Sequence, residues 1–196
     1  RLDGRENKII SLSDIKIPGE HNIANVLGAI CVAGILGIQP AIIKKVVRSF
    51  NGVPNRLELL REIGGLKYYN DTTSTTPEAG LAGLRALKKN KKNIVLIAGG
   101  ADKGLNFKEW IKEIEQTVKY LVLLKGTGTD RILKLLKPQK INFTIASSMS
   151  EAASLAKSFA KAGDIILLSP ACASFGMFKN EFDRGDQFRN IVKKLK

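Results

Sequence analysis

The sequence predicts an α/β fold, a mostly parallel open sheet with helices on both faces. Two observations carry that prediction. After Pro54, short apolar runs of strand length alternate with segments that are apolar at helical spacing. Three of those runs are followed by loops of small and polar residues, and open parallel sheets build ligand sites beyond the carboxyl ends of their strands. Before Pro54 the rhythm is different, with two helical segments and no such alternation. The expected division is therefore residues 1–53 and residues 54–196.

The elements follow in order. Lys8 to Pro18 alternates weakly and is expected to form one or two short strands. Residues 20–37 carry Ile23, Val26, Leu27, Ile30, Val32, Ala33, Ile35 and Leu36, apolar nearly all round, which predicts a buried helix. Pro40 opens the next helix where its missing N–H costs nothing, with Ile42, Ile43, Val46 and Val47 turned inward and Asn51-Gly52 as its end. Strands are predicted at 57–63, 66–70, 93–98, 120–124, 141–145 and 165–168. Helices are predicted at 77–89, 107–117, 129–136, 150–160 and 186–195. In the helix at 150–160, Ala152, Ala153, Ala156, Phe159 and Ala160 share a face; the last helix buries Phe188, Ile191, Val192 and Leu195.

Composition narrows the function. The formal charge is +14 over 196 residues, which attracts polyanions such as nucleotides. The lysines are scattered over helix faces and loop ends, however, and the few aromatic residues do not interleave with them as a base-stacking platform requires. A nucleic-acid groove is not expected. No apolar run reaches membrane-spanning length and the first residues have no signal-peptide pattern, so a cytoplasmic protein without membrane contact is expected. Cys31 and Cys172 sit among small apolar residues with no metal-ligand spacing.

Three loops hold the candidate chemistry: 71–77 (Asp-Thr-Thr-Ser-Thr-Thr-Pro), 99–104 (Gly-Gly-Ala-Asp-Lys-Gly) and 169–174 (Ser-Pro-Ala-Cys-Ala-Ser). Each alone reads equally well as a helix cap. Together on one sheet edge they offer an anion hydroxyls, the Lys103 ammonium and helix N-termini. A Gly-x-x-x-x-Gly-Lys-Ser/Thr phosphate loop is absent from these residues, and Gly126-Thr-Gly128 reads as a turn. His21 has no partner for a triad, and Cys172 reads as a packed small residue rather than a nucleophile. No complete catalytic set is present.

The run from Ser169 to Phe188, with Gly99-Gly-x-x-Lys103-Gly, Asn70-Asp71-x-x-x-Thr75 and Gly19-x-His21-Asn22-x-x-Asn25, resembles the Mur ligases, and among them the D-glutamate-adding branch. The resemblance covers essentially the whole chain but only the later part of such an enzyme. It implies that residues 1–53 are the end of a central ATPase domain and that 54–196 are a Rossmann-like C-terminal domain. It further implies an ATP- and Mg2+-dependent amide ligase, monomeric, that joins D-glutamate to UDP-N-acetylmuramoyl-L-alanine through an acyl phosphate in peptidoglycan precursor synthesis. By resemblance Thr75, Lys103 and Ser174 hold D-glutamate, while Asn22, Asn25, Arg56 and Asp71 meet the adenosine part of ATP. The phosphate loop and magnesium ligands are expected outside these residues, so the chain alone is expected to be inactive.

The sequence also departs from the family pattern. Asn55 stands where a histidine often precedes the arginine, Thr73 where a lysine is common, and Glu181 where an aromatic residue often follows Lys179-Asn180. Another Mur ligase, a ligase like folylpolyglutamate synthetase, and a stand-alone nucleotide or nucleic-acid module remain open at this point.

Overall fold

The computed structural model describes residues 8–89, 91–137 and 139–196. It forms two compact units, Arg1–Gly52 and Val53–Lys196.

The first unit holds α1 (Glu20–Ile35), α2 (Pro40–Ser49) and a single 3-10 turn at Leu12–Asp14. The strands expected in Lys8 to Pro18 do not form. An isolated strand would leave its N–H and C=O groups without a ladder partner. The segment turns instead, with the Asp14 N–H donating to Ser11 O and the Asp14 carboxylate taking Arg48 at 2.9 Å. The expected burial of α1 is also corrected: only Val26 of this helix is buried, and Leu27, Val32 and Ile35 are exposed. One neighbouring helix covers one stripe, and a helix that is apolar all round has more surface than that. In α2, Ile43 faces inward, while Ile42 and Val46 face out.

The second unit is the α/β fold. Its strands are β1 (Glu58–Ile63), β2 (Leu66–Asn70), β3 (Ile94–Gly99), β4 (Val118–Leu124), β5 (Phe143–Ala146) and β6 (Ile165–Leu168), in the spatial order β1-β2-β6-β3-β4-β5. All pairings are parallel except β1 with β2, a hairpin closed by Gly64-Gly65, both at positive φ as a tight hairpin turn requires. The central strands β3 and β6 are apolar at every residue because both of their faces are covered. Ile94, Leu96 and Ala98 point into one core with Trp110, Ile114 and Ile132. Val95 and Ile97 point into the other with Met149, Ala152, Ala156 and Phe188.

The helices divide accordingly. On the first face lie α3 (Pro77–Leu87), α4 (Lys108–Thr117) and α5 (Thr127–Leu135); on the second lie α6 (Met149–Phe159) and α7 (Glu181–Lys194). Thr76 caps α3 by accepting the Ala79 N–H, with Pro77 at the first helical position. Ser148 caps α6, where Glu151 reaches back to the Ser147 N–H at 2.8 Å. The last helix starts at Glu181 rather than Asp186. Asn180 accepts the Asp183 N–H at 2.9 Å, and the Asp183 carboxylate takes the Lys179 N–H, so the first turn is closed from both sides.

Candidate functional site

The winding of the sheet selects the site. The chain runs from β2 past an empty position to β3, outward through β4 and β5, and returns to place β6 between β2 and β3. Three parallel neighbours, β2, β6 and β3, therefore end on one edge, and the loops leaving them are 71–77, 169–180 and 100–107. Ligands of open sheets bind at such a switch point.

Backbone bonds weld the three loops together. The Ala171 N–H donates to Ser74 O, the Gly99 N–H to Pro170 O, and Ala101 and Ala173 exchange two bonds of 3.0 and 3.1 Å. A Cβ at Gly100 would stand 2.3 Å from Ala173 O, and its φ of +137 suits glycine.

Asp71 lies beneath this weld. It is 4% exposed and its carboxylate faces inward, accepting the Leu57 N–H at 3.1 Å, Ser74 Oγ at 2.5 Å and Ser169 Oγ at 2.8 Å. It thus ties the first loop to the third. Arg184 of α7 completes the tie from the other side of the sheet edge. Its guanidinium is fully buried, donating to Thr72 Oγ1 (3.1 Å), Thr72 O (2.8 Å) and Cys172 O (3.2 Å). These acceptors are two carbonyls and a hydroxyl, none a carboxylate, and burial pulls its pKa down to about 10.

On this frame Lys103 and Thr75 meet directly, Nζ donating to Oγ1 at 3.1 Å. Lys103 is exposed and pairs with no carboxylate among the described residues, so its charge stays available. Ser174 is buried next to the Ala101–Ala173 bridge, on the loop that flanks the Lys103 loop. An ammonium and two hydroxyl-bearing residues on adjoining loops can hold a carboxylate.

The residues expected to meet adenosine are divided between the two units. Arg56 is exposed on the segment before β1. Asn22 and Asn25 sit in the first turns of α1, in the other unit, where the Asn22 amide donates to Pro18 O at 2.7 Å. Asn25 is exposed. Within neither unit do these residues gather a nucleotide site, and Asp71 is committed to protein donors. No cluster of three His, Cys, Asp or Glu suited to a metal ion occurs among the described residues.

Several contributors escape a reading of the sequence. Gly126-Thr-Gly128 is more than a turn: the Gly128 N–H donates to Gly100 O and Thr127 Oγ1 accepts the Asp102 N–H, which pins the Lys103 loop to the start of α5. Asn55 accepts from Asn70 and Arg189 through its side chain and from Thr73 through its carbonyl. Thr73 is therefore drawn into the frame. Glu181 is half-buried at the head of α7, its carbonyl accepting Thr72 Oγ1 at 2.8 Å. Cys172 behaves as read: burial pushes its thiol up to about 12, far from a nucleophile's range.

Residues 55–172 match the profile described as Mur ligase, glutamate ligase domain. The chain belongs to the Mur ligase family. Among curated Mur ligases, it is 44% identical over 192 residues to the UDP-N-acetylmuramoylalanine--D-glutamate ligase of Roseiflexus sp. (strain RS-1), covering 96% of this chain and 41% of that protein. The enzyme of the same name from Clostridium botulinum (strain Alaska E43 / Type E3) is 44% identical over 200 residues, covering 99% of this chain and 42% of its own length. The chain thus spans about two-fifths of these relatives. Among solved structures, the UDP-N-acetylmuramate-alanine ligase of Thermotoga maritima superposes with a TM-score of 0.71 at 18% identity, over 93% of this chain and 40% of that one. The folylpolyglutamate synthase of Thermotoga maritima gives 0.60 at 17% identity, over 91% and 40%. Those two likenesses show the fold alone. No helix of the described residues is long and apolar enough to cross a membrane.

Proposed function

We propose that this chain is the amino-acid-binding portion of a longer cytoplasmic, ATP-dependent ligase that joins D-glutamate to UDP-N-acetylmuramoyl-L-alanine. The observation that carries the reading is the Lys103–Thr75 contact on the switch-point edge, flanked by Ser174. The names of the 44%-identical relatives supply the substrate. Lys103 and Thr75 hold one carboxylate of D-glutamate and Ser174 orients the other, which leaves the amine free. The reaction needs that amine placed against an activated acyl carbon. The N–C bond forms, the acyl–oxygen bond to phosphate breaks, and the amine loses a proton. Fixing the nucleophile in this way supplies the positioning part of the catalysis.

The nucleotide half is proposed more narrowly. Asn25 and Arg56, both exposed, are assigned to adenosine, whereas the Asn22 amide donates to Pro18 O and the Asp71 carboxylate accepts from Ser74 and Ser169, so these two hold their own segments. Activation of the acyl group by ATP and magnesium is assigned to the parts of such a ligase that these residues, about two-fifths of the relatives' length, do not span. Residues 1–53 then belong to the domain that performs it, and 54–196 to the one that brings glutamate.

Lys103→Ala in the complete ligase tests the assignment. The D-glutamate KM should rise by about a hundredfold, the worth of a charge-assisted pair of roughly 3 kcal/mol, with the ATP KM within about twofold. Equal losses for both substrates would remove the assigned role.

A further inference from the structure

Lys103 is preceded by an acid. Asp102 lies one residue away, on the same exposed loop, beside a site that has to attract a dicarboxylate. Left to itself, that carboxylate would oppose the ligand and compete for the neighbouring ammonium. It does neither, because it is turned toward α5. Arg131 Nη1 contacts both of its oxygens, at 2.7 and 2.9 Å, and the Gly104 N–H donates to Oδ1 at 2.9 Å. Arg131 is itself held, with its guanidinium carbon 5.9 Å from the centre of the Phe107 ring, and Phe107 is buried against Trp110. The Asp102 N–H is fixed in addition by Thr127 Oγ1 at 3.0 Å. Lys103 points the other way, to Thr75.

We propose that Arg131 is a positioning residue for the glutamate site: it holds Asp102 against α5 and cancels its charge, leaving the Lys103 ammonium free for the ligand's carboxylate. The proposal rests on the D-glutamate reading above and adds to it a residue outside the three loops. The geometry also explains why Gly126-Thr-Gly128 lies so close to the Lys103 loop. The start of α5 is the platform from which Thr127 and Arg131, one turn apart, reach the two sides of Asp102.

The test is D-glutamate titration of the 196-residue chain by two-dimensional NMR, for wild type, Arg131→Ala, Arg131→Lys and Arg131→Ala/Asp102→Asn. Arg131→Ala should weaken D-glutamate by about tenfold, since an uncancelled carboxylate then faces the ligand. Arg131→Lys should recover part of that loss. Removing the acid as well, in the double variant, should recover most of it, a rescue that a purely structural role for Arg131 would not give. A double variant no better than Arg131→Ala overturns the proposal, as does an Arg131→Ala that binds like wild type. A second readout needs no ligand. Burial alone would raise the Asp102 pKa, but the Gly104 N–H and Arg131 outweigh it and hold the carboxyl below the usual range. In Arg131→Ala its titration should move up. If it does not move, Arg131 does not govern Asp102 and the proposal fails alone. If wild type and Lys103→Ala respond to D-glutamate identically, the underlying glutamate reading fails with it.

Discussion

Arg184 offers a prediction in which the conservative substitution is the worse one. Its guanidinium is fully buried and holds two carbonyls and a hydroxyl, tying α7 to the loops after β2 and β6. Lowering its pKa from 12.5 to about 10 corresponds to a burial cost of about 3 kcal/mol. That cost is present in full at neutral pH and would be relieved only as pH rises through the folded-state value. Arg184→Met removes the cost but orphans the carbonyls of Thr72 and Cys172, at about 1–3 kcal/mol each, so that with mid-range values the net loss is about 1 kcal/mol. Arg184→Lys keeps a buried charge while its single ammonium cannot span all three acceptors, so its loss is about 3–5 kcal/mol. The lysine can escape by shedding its proton, so its deficit should shrink between neutral pH and pH 10, where the folded state binds fewer protons than the unfolded chain. Urea unfolding followed through Trp110, the sole tryptophan and a core residue of this unit, measures all three proteins. A lysine variant as stable as wild type, or a methionine variant worse than the lysine one, would refute this reasoning.

Gly100→Ala should destabilise by about 3 kcal/mol or more, because the new Cβ meets Ala173 O at 2.3 Å and the φ is +137. It should also weaken D-glutamate binding by parting the Lys103 loop from the Ser174 loop; the urea midpoint and an NMR titration check both. The two thiols should differ sharply toward iodoacetamide at pH 8. Exposed Cys31 takes the label in the folded protein, whereas Cys172, buried and pushed up to about 12, takes it only in denaturant, as peptide mass spectrometry would show.

The α/β unit was legible because its signals are local. Continuous apolar runs at β3 and β6 and helical spacing in α6 each specify their element without reference to the rest. Lys103 and Thr75, both singled out by their motifs, do meet in the structure although 28 positions separate them. What stayed hidden depends on partners distant in sequence. Lys8 to Pro18 has strand-like alternation but pairs with no strand among the described residues, and most of the apolar surface of α1 is exposed. Arg131 and Thr127 look like ordinary residues of an amphipathic helix until the sheet brings α5 beside the Lys103 loop. Asp71 reads as an available acid, yet tertiary packing turns it inward onto Leu57, Ser74 and Ser169.

A crystal of the 196-residue chain soaked with D-glutamate addresses the glutamate assignment without relying on kinetics. The assignment requires one carboxylate within hydrogen-bond reach of Lys103 Nζ and Thr75 Oγ1, the other toward Ser174, and the amine turned away from all three. D-glutamate bound elsewhere, with the edge formed by β2, β6 and β3 left bare, would contradict it.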